Sequence, residues 1–107
     1  MSFVSVCHID KIFPGTGVCA LIKGKQVALF RPSDNAEVFA LDNMDPFAKS
    51  NVLSRGLICE HNKQLWIASP LKKQRFNLET GDCLEDQSVS IKSYPVKITD
   101  GTVAVSL

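Results

Sequence analysis

Short apolar runs separated by turn residues recur along the chain. Residues 2–9 alternate in part, with Phe3, Val4 and Val6 apolar. Residues 18–22 and 26–30 are apolar on either side of Lys23-Gly24-Lys25, a pattern that predicts a hairpin. Arg31-Pro32-Ser33-Asp34-Asn35 then breaks the chain, and residues 37–41 (EVFAL) read as another strand. Residues 57–59 and 65–68 flank a polar stretch, 60–64, as a second hairpin. Residues 74–78 place Phe76 and Leu78 on one face, and the turn Glu79-Thr80-Gly81-Asp82 leads to Cys83-Leu84, which closes that pair. Residues 88–94 offer a further strand. Val96-Lys97-Ile98 and Val103-Ala104-Val105 alternate around Asp100-Gly101, the strongest short-range hairpin signal in the sequence. No window carries a helical apolar period of useful length. Many short strands at such spacing predict an all-β protein, a small antiparallel sandwich or barrel. Residues 42–56 stand apart: they are polar in parts, contain Pro46 and offer at most one helical turn at 51–54. A long segment of this kind inside a compact domain is usually functional or poorly ordered.

Composition narrows the function classes. The 107 residues predict one domain, 1–107, without linker, repeat or low-complexity segment. Hydrophobic residues are 45% and charged residues 21%, the balance of a globular protein. A formal net charge of +1 argues against a broadly basic surface for nucleic acid. No apolar run approaches the ~18 residues that span a bilayer, and the first residues do not resemble a secretory signal, so a cytoplasmic protein is expected. Cys7, Cys19, Cys59 and Cys83 form no C-x-x-C pair and are expected as free thiols, acting as small buried hydrophobes. No Ser-His-Asp or Cys-His context, G-x-G-x-x-G or P-loop is present. Trp66 is expected in the core, His8 and His61 at the surface, and Glu85-Asp86 in a solvated turn.

Three stretches carry more specific information: LDNMDPF (41–47), NVLSRG (51–56) and ASPLKKQRFNLETGDCLED (68–86). Together they resemble the Rieske [2Fe–2S] fold. In that family a strand leads into C-P-H, then an L-x-x-G turn and a hairpin, then C-P-W-H-G, a phenylalanine-containing strand and T-G-[ED]. Asp45-Pro46-Phe47 stands where C-P-H would be, and Leu53-Ser54-Arg55-Gly56 at the turn. Ser69-Pro70-Leu71-Lys72-Lys73 stands at C-P-W-H-G, with Phe76 and Thr80-Gly81-Asp82 following. The resemblance implies an all-β Rieske-like fold with an inserted two-loop subdomain.

It also implies four cluster-ligand positions, Asp45, Phe47, Ser69 and Lys72. A Rieske cluster takes two thiolates and two imidazoles. Phenylalanine has no lone pair, the lysine ammonium repels a cation, and Ser and Asp offer hard oxygens to a soft site. The sequence therefore predicts no cofactor, metal or catalytic residue on this chain. Among Rieske-like proteins the same motifs resemble the small subunits of bacterial cytoplasmic NADH-dependent nitrite reductases. That resemblance implies a partner: a large subunit carrying FAD, a [4Fe–4S] centre and sirohaem, which reduces nitrite to ammonium in nitrogen assimilation or detoxification. On this reading Phe47, Leu71, Lys72, Lys73 and Arg75 form a partner-binding tip, an apolar anchor in a basic rim. Phe47 and Leu71 could instead fill the space of the missing cluster, and Arg55 could brace the first loop. A Rieske-type ferredoxin and a stand-alone protein-binding module are the competing functions.

Overall fold

The computed structural model describes residues 2–107, so that Met1 of the expected domain lies outside the described residues. The strands are β1 (Phe3–His8), β2 (Thr16–Ile22), β3 (Lys25–Arg31), β4 (Phe39–Asp42), β5 (Met44–Asp45) and β6 (Ser50–Asn51). They continue with β7 (Leu57–His61), β8 (Gln64–Ala68), β9 (Arg75–Asn77), β10 (Ser93–Tyr94), β11 (Val96–Thr99) and β12 (Thr102–Ser106). Single 3₁₀ turns occupy Ile9–Lys11 and Leu53–Arg55. All pairings are antiparallel, in sheets ordered β1-β12-β11, β10-β4-β3-β2, β5-β6 and β7-β8-β9. The sheets pack as a sandwich, and none of the described sheets closes into a barrel.

The turns explain the registers. Lys23-Gly24, Asn62-Lys63 and Asp100-Gly101 all take positive φ, the conformation that matches the twist of a two-residue hairpin. The β7–β8 connection is thus shorter than the expected loop 60–64, because Asn62 and Lys63 both accept the left-handed region. Residues 88–94 yield only β10 and a single bridge from Ser90 to Asp82. Val89 and Ile91 instead pack side-on against a core. Gly81 explains the T-G-D turn: it has φ +84°, and any Cβ there would collide with the carbonyl oxygen of Ile91.

β3 is the shared wall of the molecule. Val27, Ala28, Leu29 and Phe30 are all fully buried, so the strand reads as a continuous apolar run rather than an alternation. Val27 and Leu29 join Ile12, Tyr94, Val103 and Val105 in one core, beneath β1, β11 and β12. Ala28 and Phe30 point the other way, into a second core with Leu41, Leu53, Ile67, Phe76 and Leu78. The second core supports β7–β9 and the two loops of interest. Trp66 is buried, as expected, and its indole N–H donates to the His61 carbonyl at 3.2 Å. The cysteines do not share one environment: Cys83 is buried, Cys7 and Cys59 are half-buried and Cys19 is exposed. Cys19 lies on the outer face of β2, where alternation turns it to solvent.

Candidate functional site

Two loops meet at one end of the second core. The first, residues 45–49, turns the chain between β5 and β6. The second, residues 69–74, joins β8 to β9. They share one construction. In the first, the Asp45 carboxylate accepts from the backbone N–H of Phe47 at 2.8 Å and of Ala48 at 3.2 Å. In the second, the Ser69 hydroxyl accepts from the N–H of Leu71 at 3.3 Å. The fifth residue of each loop is a lysine of positive φ, Lys49 at +54° and Lys73 at +65°. Their N–H groups donate back to the carbonyls of Asp45 (2.7 Å) and Ser69 (3.2 Å). Each loop is therefore a proline-containing turn organised by the polar side chain at its head.

The two heads are joined. Asp45 is fully buried, Ser69 is 2% exposed, and the Ser69 hydroxyl donates to the other oxygen of the Asp45 carboxylate. These residues stand at the two cysteine positions, so a direct hydrogen bond links the loops where thiolates would share an iron. The two imidazole positions differ more. Phe47 is half-buried on the second core, its ring centroid 6.2 Å from that of Phe76. Lys72 is exposed on the second loop. Of the four ligand positions, the structure thus brings Asp45 and Ser69 into contact and places Phe47 and Lys72 apart in character. This donor set does not fit a [2Fe–2S] cluster: two oxygens satisfy each other, one ring has no lone pair and one group is cationic. Among the described residues no three His, Cys, Asp or Glu side chains group as metal ligands.

The expected tip residues have unequal surroundings. Leu71 is 56% exposed, and Lys72 and Lys73 are exposed beside it. Arg75 is already engaged: its Nε donates to Glu85 Oε2 at 2.6 Å and its backbone N–H to Oε1 at 2.7 Å. Glu85 is exposed on a bend, as expected, and is in addition the acid that fixes the start of β9. Burial pushes the Glu85 carboxyl up. The hydrogen bonds and charge of Arg75 outweigh that and hold it below the usual carboxylate value. Arg55 is exposed and makes no hydrogen bond to the first loop. The brace is Asn43, which is 2% exposed. Its backbone carbonyl accepts from Leu53 N–H at 3.1 Å and its side-chain oxygen from Ser54 N–H at 2.8 Å, while its amide donates to Gln26 at 3.1 Å. Asn43 lies inside the LDNMDPF motif, and a polar residue at the end of a buried strand was the available signal. His61 ends β7 edge-on to Trp66, and His8 caps the first 3₁₀ turn by accepting from Asp10 N–H at 3.2 Å.

Comparison with known proteins agrees with this geometry. The family described as Rieske-like [2Fe–2S] domain matches residues 2–106. The nitrite reductase (NADH) small subunit of Salmonella typhimurium is 58% identical over 99 residues, covering 92% of each chain. The solution structure of the Escherichia coli protein NirD superposes with a TM-score of 0.90 at 54% identity, over 97% of this chain and 94% of that one. The nitrite reductase [NAD(P)H] large subunit of Klebsiella oxytoca is 38% identical over 101 residues, which are 94% of this chain and 10% of that one. A frame of this fold, with its two ligand loops tied by Asp45 and Ser69 instead of by metal, and with relatives of this identity, belongs to the Rieske-like [2Fe–2S] domain family, among the small subunits of NADH-dependent nitrite reductases.

Proposed function

We propose that this chain is the non-catalytic small subunit of a cytoplasmic, assimilatory NADH-dependent nitrite reductase. As a single domain, it docks on a large subunit that carries FAD, a [4Fe–4S] centre and sirohaem. Hydride transfer and the reduction of nitrite to ammonium stay with those cofactors. The observation that carries this reading is the Asp45–Ser69 joint: the loops keep their Rieske-like course, yet their heads are committed to each other. A frame retained without its metal chemistry is suited to shape recognition. The Klebsiella large subunit supports the partnership, because a segment similar to this chain lies within that longer polypeptide. Four free cysteines suit a reducing compartment. The tip offers Leu71, Lys72 and Lys73 for contact, with Phe47 and Arg75 holding the loops in place.

The test is co-expression with the large subunit and co-purification, followed by nitrite reduction with and without this chain. A stable complex whose activity or assembly depends on the small subunit is expected. Full activity of the large subunit alone, unchanged on adding this chain, would overturn the reading. Stoichiometric iron with visible absorption in the isolated chain would favour a ferredoxin instead.

A further inference from the structure

The net charge of +1 conceals a division. Segments 45–57 and 69–75 hold five of the twelve cations (Lys49, Arg55, Lys72, Lys73 and Arg75) and one of the eleven acids, the buried Asp45. The rest of the chain is net negative. Of these five cations only Arg75 has an acidic partner; the other four form no ion pair among the described residues.

Beside the joined loops lies a cleft of about 330 Å³, lined by Arg55, Gly56 and Leu57 and by Ala68, Pro70 and Lys73. Its floor is the end of the β7–β8 ladder, where Leu57 pairs with Ala68. Gly56 lets the chain run close against β8 here, since a Cβ there would collide with the Ala68 carbonyl oxygen. Leu57 is 76% exposed, and Leu71, next along from Pro70, is 56% exposed. One large exposed apolar side chain, Leu57, thus lines the cleft together with Arg55 and Lys73, and a second, Leu71, adjoins its Pro70 wall in sequence. Lys73 holds φ +65°, at the position where the C-P-W-H-G pattern has glycine, so its side chain can be removed there without unseating the loop.

We infer that this cleft is the seat of a large-subunit segment that presents a carboxylate beside an apolar side chain, with Arg55 and Lys73 taking the carboxylate and Leu57 and Leu71 the apolar group. This deepens the docking function proposed above and rests on it. The commitment to an acidic occupant follows from charge: the two segments that form the rim hold five cations against one acid, itself buried, and a desolvated acid–base pair at the centre of an interface fixes its register.

The test titrates the purified chain against cofactor-loaded large subunit at low and moderate salt. Lys73→Gly keeps a residue at home in the left-handed region, so it removes the charge and leaves the loop folded, which a thermal melt checks. Lys63→Gly is the matched control, at φ +64° on the far turn of the β7–β8 hairpin. Lys73→Gly and Arg55→Gln are each expected to weaken binding roughly tenfold and to flatten its salt dependence, Leu57→Asp to weaken it further, and Lys63→Gly to bind as wild type. Wild-type affinity in Lys73→Gly and Leu57→Asp, with the complex otherwise intact, would overturn the cleft while leaving the docking reading standing. No complex with the unaltered chain would overturn the docking reading itself. Self-association of the free chain in sedimentation, abolished by Leu57→Asp, would make a second copy the occupant and overturn the assignment.

Discussion

The two loops follow the same backbone plan and serve different ends. Each opens on a polar residue before proline, bends around that side chain and ends on a left-handed lysine. Their third residues go opposite ways: Phe47 turns inward onto Phe76, whereas Leu71 faces solvent. The first loop is thereby part of the core. The second is a surface feature whose conformation the first loop holds through the Asp45–Ser69 bond. The lesson is that a turn of this shape can be held without metal ligands, provided another interaction closes the same gap.

Breaking the joint from its two ends measures this asymmetry. Asp45→Ala leaves the Phe47 and Ala48 amides and the Ser69 hydroxyl without their acceptor, and is expected to cost about 3–5 kcal/mol in urea unfolding. Ser69→Ala removes one bond to Asp45 and one long bond to Leu71, and is expected to cost about 1–2 kcal/mol. Equal losses would mean that the loops are energetically interchangeable. The third positions sharpen the contrast. Phe47→Ala is expected to lose about 2–3 kcal/mol of stability, since it empties part of the second core. Leu71→Ala is expected to fall within about 0.5 kcal/mol of wild type by the same measurement, because it faces water.

Glu85 gives the comparison a pH axis, because it anchors only the exit of the second loop. A carboxyl held below its ordinary value stabilises the fold fully above that value and loses the contribution as pH falls through the folded-state value. The stability gap between wild type and Glu85→Gln, followed by thermal melts, is therefore expected to be full above the ordinary glutamate value and to narrow as pH falls through the lowered folded-state value. The smallest effects belong to Lys49→Gly and Lys73→Gly. Relief of left-handed strain opposes the added freedom of the unfolded chain, so each is expected to lie within about 0.5 kcal/mol of wild type.

Much of the fold was legible because local patterns carried it. The Lys23-Gly24 and Asp100-Gly101 hairpins follow from turn chemistry flanked by apolar runs. The Rieske-like motifs placed both loops. Legibility fell where remote segments decide. Nothing near residues 3–8 announces that β1 pairs with β12, and the unbroken run of β3 hides which neighbour sits on each face. Residues 88–94 show apolar spacing but give up most of their ladder to side-chain packing. Within the site, the ligand positions were readable, but not their contacts: Asp45 with Ser69, and Arg75 with Glu85 instead of a free rim. The plan common to the loops is hidden at the level of letters, where only Pro and the final Lys recur. The repetition is in dihedral angles and hydrogen bonds.

The antiparallel match of Phe3 with Ser106 sets the first and last strands side by side, so the polypeptide enters and leaves the sandwich at one corner. A body of that kind can be spliced into a longer chain, or have its ends bridged and be reopened at a distant tight turn, without stretching any strand. Evolution and the protein engineer therefore meet the same permissive geometry: a grip that can travel as a separate piece or ride as an appendage on the machine it serves.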